Sequence, residues 1–201
     1  MTTYLSHQQV EALLRPLKSS RVGTTPDGYS HLQSWDIRAA LVRVFGFGNW
    51  DETSFAPTER LYEVETTTRS GKPAYKVAYI AHRRLSIRTP YGEHLCAYEA
   101  TAIGESTMPD FKRGDAHDMA IKTAESQALK RCAINLGTMF GLSLYNDGMR
   151  EDVVGVTLVR PAPPDGGETE PASTDALDGP GIVGEGENPA AEYGAVGEEY
   201  S

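Results

Sequence analysis

The sequence predicts an α+β domain in which a curved antiparallel β-meander is packed with a long helix, followed by a disordered acidic tail. Three observations predict it. Apolar residues recur at helical spacing near both ends of the first 140 residues. Between them lie three stretches rich in Thr, Val and Tyr, separated by turn signals. The composition then changes abruptly near residue 160.

The first helix is expected from Ser6 to Leu17. Ser6 and Gln9 form a capping-box pattern, and Val10, Leu13, Leu14 and Leu17 form the apolar stripe. The following segment, to Leu32, holds Gly, Pro, Asp and Ser and reads as a loop or short hairpin turning at Pro26-Asp27-Gly28. A second helix is expected from Trp35 to Phe45, capped by Ser34, with Ile37, Leu41, Val44 and Phe45 on its apolar side. Gly46 ends it, and Phe47-Gly48-Asn49-Trp50 reads as a turn with large buried aromatics.

The strands are expected over Ser54–Thr68, Ala74–Thr89 and Glu93–Ile103. Ser70-Gly71-Lys72-Pro73 and Pro90-Tyr91-Gly92-Glu93 are the turns between them. Tyr75, Val77, Tyr79 and Ala81 share one side of the middle strand by alternation. Met108–Arg113 reads as a loop. Asp115 or Asp118 then caps a helix reaching Phe140, whose Ala120, Ala124, Ala128 and Ala133 suit close packing on a sheet. Gly137 and Gly141 mark its exit.

The chain has 201 residues and a formal net charge of -9. Read flat, that acidity argues against a nucleic-acid partner, because phosphate contacts need clustered Lys and Arg. From Pro161 to Ser201, however, there are ten acidic residues and no Lys or Arg, leaving 19 basic and 18 acidic residues in Met1–Arg160. The same 41 residues hold eight Gly and six Pro, a composition unable to bury enough surface to offset chain entropy. The expected division is therefore a domain over residues 1–150 and a flexible acidic tail over 151–201. No apolar run of about 18 residues predicts a membrane span, and the N-terminus lacks the regions of an export signal. Cys96 and Cys132 are expected to be buried free thiols in a reducing cytoplasm.

Asp110, Asp115, His117 and Asp118 form the densest cluster of potential metal or acid–base groups. A metal-dependent nuclease would use such a cluster, but Asp115 and Asp118 also suit a helix start. No nucleophile elbow, Walker loop or dinucleotide fingerprint is present, so neither an enzyme nor a cofactor is expected. The basic residues are more informative. Lys122, Lys130 and Arg131 lie on the last helix, and Lys18 and Arg21 lie in a loop. Lys72, Lys76, Arg84 and Arg88 fall on one face of the central hairpin, where they would track phosphates or protect an exposed sheet face.

Three segments carry a family resemblance. They are Ser19-Ser20-Arg21-Val22 before a Gly-containing hairpin and Tyr29, then Val44-Phe45-Gly46-Phe47-Gly48-Asn49-Trp50, then Ala120–Arg131 followed by Leu136-Gly137, Gly141 and Leu144-Tyr145. In this order, over about Leu5 to Gly148, the chain resembles the Rad52 family of single-strand DNA annealing proteins, including its phage-encoded members. The resemblance implies a Rad52-like N-terminal domain fold, assembled as a homo-oligomeric ring or helical filament. Single-stranded DNA would lie in its basic groove, with phosphates inward and bases outward, during recombination and repair. Carried over by position, Arg21, Lys130 and Arg131 would grip the backbone, with Lys122 on the same helix. An outer DNA contact would use Lys72, Lys76, Lys112 and Arg113. Ile134 stands where members often have a further Arg, and Asn49 where the motif's second Gly is expected. A single-strand-binding protein is a candidate partner, and the expected setting is the cytoplasm and nucleoid of a bacterial host. The alternatives are an RNA-binding or protein-interaction module on the same scaffold, or the nuclease.

Overall fold

The computed structural model describes residues 5–25, 28–155 and 157. The turn positions Pro26 and Asp27, and the tail from residue 158 onward, lie outside the described residues.

The chain is α+β, with antiparallel sheets and one long helix. It runs α1 (His7–Leu14), β1 (Val22–Thr24), β2 (Ser30–Leu32), α2 (Ser34–Phe45), β3 (Trp50–Thr53), β4 (Glu59–Thr67), β5 (Pro73–Arg88), β6 (His94–Pro109) and α3 (Arg113–Ala133). Short 3-10 turns precede β1 and α3 and follow α3.

Local chemistry accounts for most boundaries. Ser6 and Gln9 cap α1 reciprocally, as their spacing predicts. The helix stops at Leu14, short of the expected Leu17, because Pro16 forces Arg15 into extended backbone (φ -61°, ψ 137°). Ser34 lies inside α2 and does not cap it; Gln33 is the capping residue, with no side-chain bond. β3 lies where the sequence reads as a turn. Its Asp51 and Glu52 disfavour a strand, but pairing of Trp50–Thr53 with Arg84–Ile87 supplies the ladder. Phe47 is not buried: it is 88% exposed.

β6 continues six residues beyond the expected Ile103, to Pro109. The low strand propensity of Gly104-Glu105-Ser106 hides this continuation in the sequence. Asp110–Lys112 is a 3-10 turn, and α3 starts at Arg113, so neither Asp115 nor Asp118 caps it. α3 ends at Ala133 rather than near Phe140, and three 3-10 turns follow it to Tyr145, interrupted at Gly137 and Gly141.

β5 is the central strand. Its C-terminal part pairs with β3, its N-terminal part pairs with β4, and β6 also pairs with it. The β4-β5-β6 succession is the expected meander, with β3 as an addition.

The chain divides into two compact units, and β5, β6 and α3 each contribute to both. The first unit comprises the described chain to Phe55, Arg83–Ala100, and the described chain from Leu129. Its core joins Leu13 of α1 and Ile37, Leu41 and Phe45 of α2 to Leu85 and Ile87 of β5, Leu129 and Cys132 of α3, and Phe140. Each such side chain contributes about 1.5–3 kcal/mol on burial. Cys132 is a buried free thiol whose pKa burial pushes up to about 11, whereas Cys96 is only half-buried. The second unit contains Ala56–His82 and Thr101–Ala128. Its smaller core is Val77, Met108, Ala116 and Ala120, flanked by Tyr79 and Met119. Ala120 and Ala124 of α3 press on Gly104 of β6 so closely that a Cβ there would meet Ala120 O at 2.2 Å and Ala124 N at 2.3 Å. The alanine series thus does seat the helix on a strand.

Candidate nucleic-acid interface

In the first unit, the 3-10 turn Ser19–Arg21 delivers Arg21 to α2. Its Nε donates to Asp36 Oδ1 at 3.0 Å, and its Nη2 donates to Asp36 Oδ2 at 2.7 Å. The two side chains are 13% and 4% exposed, so this is a largely buried, bidentate ion pair. The guanidinium that the resemblance assigns to a phosphate already holds a carboxylate. Asp36 had a sequence signal: it is in register with Ala40 and Val44 on the buried side of α2, where a carboxylate needs a cation.

Lys130 and Arg131 occupy the last turn of α3, the end of a helix dipole that favours cations. Arg131 is exposed, whereas Lys130 is half-buried. Burial lowers the Lys130 pKa, and among the described residues no carboxylate pairs with it. A partly desolvated ammonium without a counter-charge is a site prepared for an anion.

The second unit contains the other candidates. Lys122 pairs with Asp118 one turn earlier on α3. Lys76 pairs with Glu105 at 2.8 Å. The hydrogen bond that Lys76 donates to Glu105 raises the Lys76 pKa, while Lys76 and Tyr62 lower that of Glu105. Arg113 donates to Glu63 and stacks 4.3 Å above the Tyr75 ring. Burial pushes the Glu63 carboxyl up, but Arg113, His117 and Arg60 together bring it below its ordinary value. Lys112 is half-buried in the 3-10 turn before α3, and Lys72 is exposed in the β4–β5 turn.

Three of the four cations of the expected basic hairpin face have carboxylates beside them. Lys76, Arg84 and Arg88 are matched by Glu105, Glu99 and Asp51 respectively. Alternation along β5 locates the cations but cannot show which carboxylates neighbouring strands bring beside them.

The Asp110–Asp118 cluster is likewise dispersed among structural partners. His117 Nδ1 lies 3.0 Å from the Tyr79 hydroxyl, and Asp118 faces Lys122. Among the described residues, no three His, Cys, Asp or Glu side chains are grouped so as to hold a metal ion. Among the same residues, no helix is long and apolar enough to cross a membrane.

The profile of the Rad52/22 family, described as double-strand break repair proteins, matches residues 5–159. No curated protein matches the chain. The match spans both helical motifs, the meander between them and the Lys130-Arg131 turn, and the chain belongs to the Rad52/22 family of double-strand break repair proteins.

Proposed function

We propose that the chain binds single-stranded DNA and anneals complementary strands as a ring or filament of identical copies, without covalent chemistry. Membership of a double-strand break repair family supports the setting. One observation carries the contact: Lys130 is half-buried with no described carboxylate partner, beside Arg131 on the last turn of α3. Nine other cations of the described chain, Arg21, Lys76 and Lys122 among them, face carboxylates.

Two complementary strands repel each other and fold on themselves. A cationic groove holding one strand extended offsets both effects, and its affinity comes from phosphates rather than sequence. Lys130 and Arg131 are the principal contacts. Arg21 is a secondary contact whose charge is shared with Asp36. Lys122, and the outer set Lys72, Lys76, Lys112 and Arg113, are weaker contacts for the same reason where their carboxylate partners are identified. In a bacterial host the protein would act in the cytoplasm and nucleoid, with a single-strand-binding protein as a candidate partner.

The test is a titration of labelled oligonucleotide with the full chain and with its Lys130→Ala/Arg131→Ala variant. The variant should lose binding and annealing while retaining its unfolding midpoint. Its salt slope for any residual binding should be shallower by about 1.4, the value for two single-strand phosphate contacts. Unchanged affinity removes the site, and binding without accelerated annealing moves the protein to the RNA-binding or protein-interaction class.

A further inference from the structure

Two turns at one end of the first unit present aromatic rings to solvent. Phe47 is 88% exposed and Tyr91 is 82% exposed. Phe47 lies between Gly46 (φ 80°) and Gly48 (φ 82°), two positions with a positive φ that residues other than glycine rarely adopt. Tyr91 sits between Pro90 and Gly92 (φ 84°), in a turn closed by Thr89 N–H donating to Glu93 O at 2.8 Å.

The β3–β5 ladder places the two turns together. Trp50 is opposite Ile87, and Arg88 N–H donates to Asn49 O at 2.7 Å. From there the chain before β3 and the chain after β5 leave the same end of the ladder, carrying Phe47 and Tyr91. Asn49 Nδ2 donates to Phe45 O at 2.8 Å, fixing the Phe47 turn to the end of α2.

Two arginines lie on the elements that carry the rings. Arg43 is on the last turn of α2, and among the described residues no carboxylate pairs with it. Arg88 is half-exposed and holds Asp51 at 3.0 Å. Gly46, Gly48 and Asn49 flank one ring, and Pro90, Gly92 and Glu93 flank the other. A protein partner needs a contiguous apolar patch of several hundred Å², whereas the immediate sequence neighbours of both rings are Gly, Asn, Pro and Glu. Exposed flat rings, one of them four residues from Arg43 in sequence, match the face of a nucleobase and its phosphate.

We infer that Phe47 and Tyr91 form a stacking platform for unpaired bases, with Arg43 beside it for the backbone. The platform rests on the single-stranded DNA reading above, but its ligand is the base face, whereas Lys130 and Arg131 hold phosphate. A strand gripped only by phosphates is free to rotate its bases. Stacking would hold selected bases unpaired and ordered until a complementary strand displaces them.

The test compares an oligothymidylate with an abasic deoxyribose-phosphate oligomer of equal length, titrated into the full chain and into Phe47→Ala/Tyr91→Ala. The natural chain should prefer the base-bearing strand by roughly tenfold per ring. The variant should bind both strands equally, with the natural chain's affinity for the abasic one. Phe47→Trp/Tyr91→Trp should restore the preference. No preference in the natural chain, or a preference surviving in the alanine variant, overturns the platform. So does loss of preference accompanied by dissociation of the assembly in sedimentation, which would place the rings between copies. Failure of the phosphate grip reads differently: the abasic strand would then not bind the natural chain.

Discussion

Arg21 and Asp36 meet through two guanidinium nitrogens, 2.7 Å apart at the closest, and so fasten the turn before β1 to the first turn of α2. Removing one partner of a buried pair leaves the other uncompensated. Asp36→Ala should therefore destabilise the chain by about 3 kcal/mol in urea unfolding, with Arg21→Ala similar. An unshifted midpoint in both would show that the pair contributes no net stability. Loss of DNA binding in Arg21→Ala should arrive together with this instability, unlike the loss expected for Lys130→Ala.

Gly104 fixes the distance between β6 and α3. The first added carbon meets main-chain atoms of Ala120 and Ala124, which cannot rotate away. Gly104→Ala should cost about 3 kcal/mol, at the upper end for overpacking. Gly114→Ala, where nothing lies within 4 Å, is the control and should remain near the natural stability. Circular dichroism melts of the two variants would separate these outcomes, and equal melting would refute the close approach.

Burial holds the Lys130 ammonium below the ordinary lysine value of 10.5. The sign follows from proton counts. The unfolded chain holds this proton more tightly than the folded one, so between the two pKa values this group's contribution to stability rises with pH. Phosphate binding needs the proton, so single-stranded DNA affinity should fall as pH climbs toward the ordinary lysine value, while stability does not fall through this group. Lys130→Arg keeps its charge and should flatten the affinity profile. Parallel profiles in the two proteins would exclude Lys130 as the titrating contact.

The segment Pro161–Ser201 carries ten acidic residues and no Lys or Arg. If it competes with DNA for the cations of the body, ending the chain at Arg160 should tighten single-strand binding at low salt. The effect should fade as salt rises, because the Debye length shrinks from about 30 Å at 0.01 M to 8 Å at 0.15 M. Equal affinities at low salt would leave the tail without a competitive role.

Most elements were legible because their determinants are local. The Ser6–Gln9 box, the alternation of β5 and the alanine series of α3 depend on residues within a few positions of one another, and Pro16, equally local, is a stop that the expected helix to Leu17 passes over. Two of the misjudged boundaries were not local. β3 forms despite Asp51 and Glu52 because β5 supplies its ladder, and the end of β6 continues through Gly104 because α3 packs there. The Lys130-Arg131 pair could be located from the helical motif, but the lack of a described carboxylate beside Lys130 could not.

The order of residues settled the α+β class, the family motifs and the separation of a near-neutral body from an acidic end. Propensity, periodicity and charge counts act along the chain and need no fold to express them. Which cations remain available was decided by tertiary structure alone. Ion pairing depends on distances between strands and helices far apart in sequence, and it neutralises Arg21, Lys76, Arg84 and Arg88 while leaving Lys130 without a described counter-charge. The exposure of Phe47 has the same origin, since a large aromatic ring in a turn is buried or solvated according to what the rest of the chain folds against it.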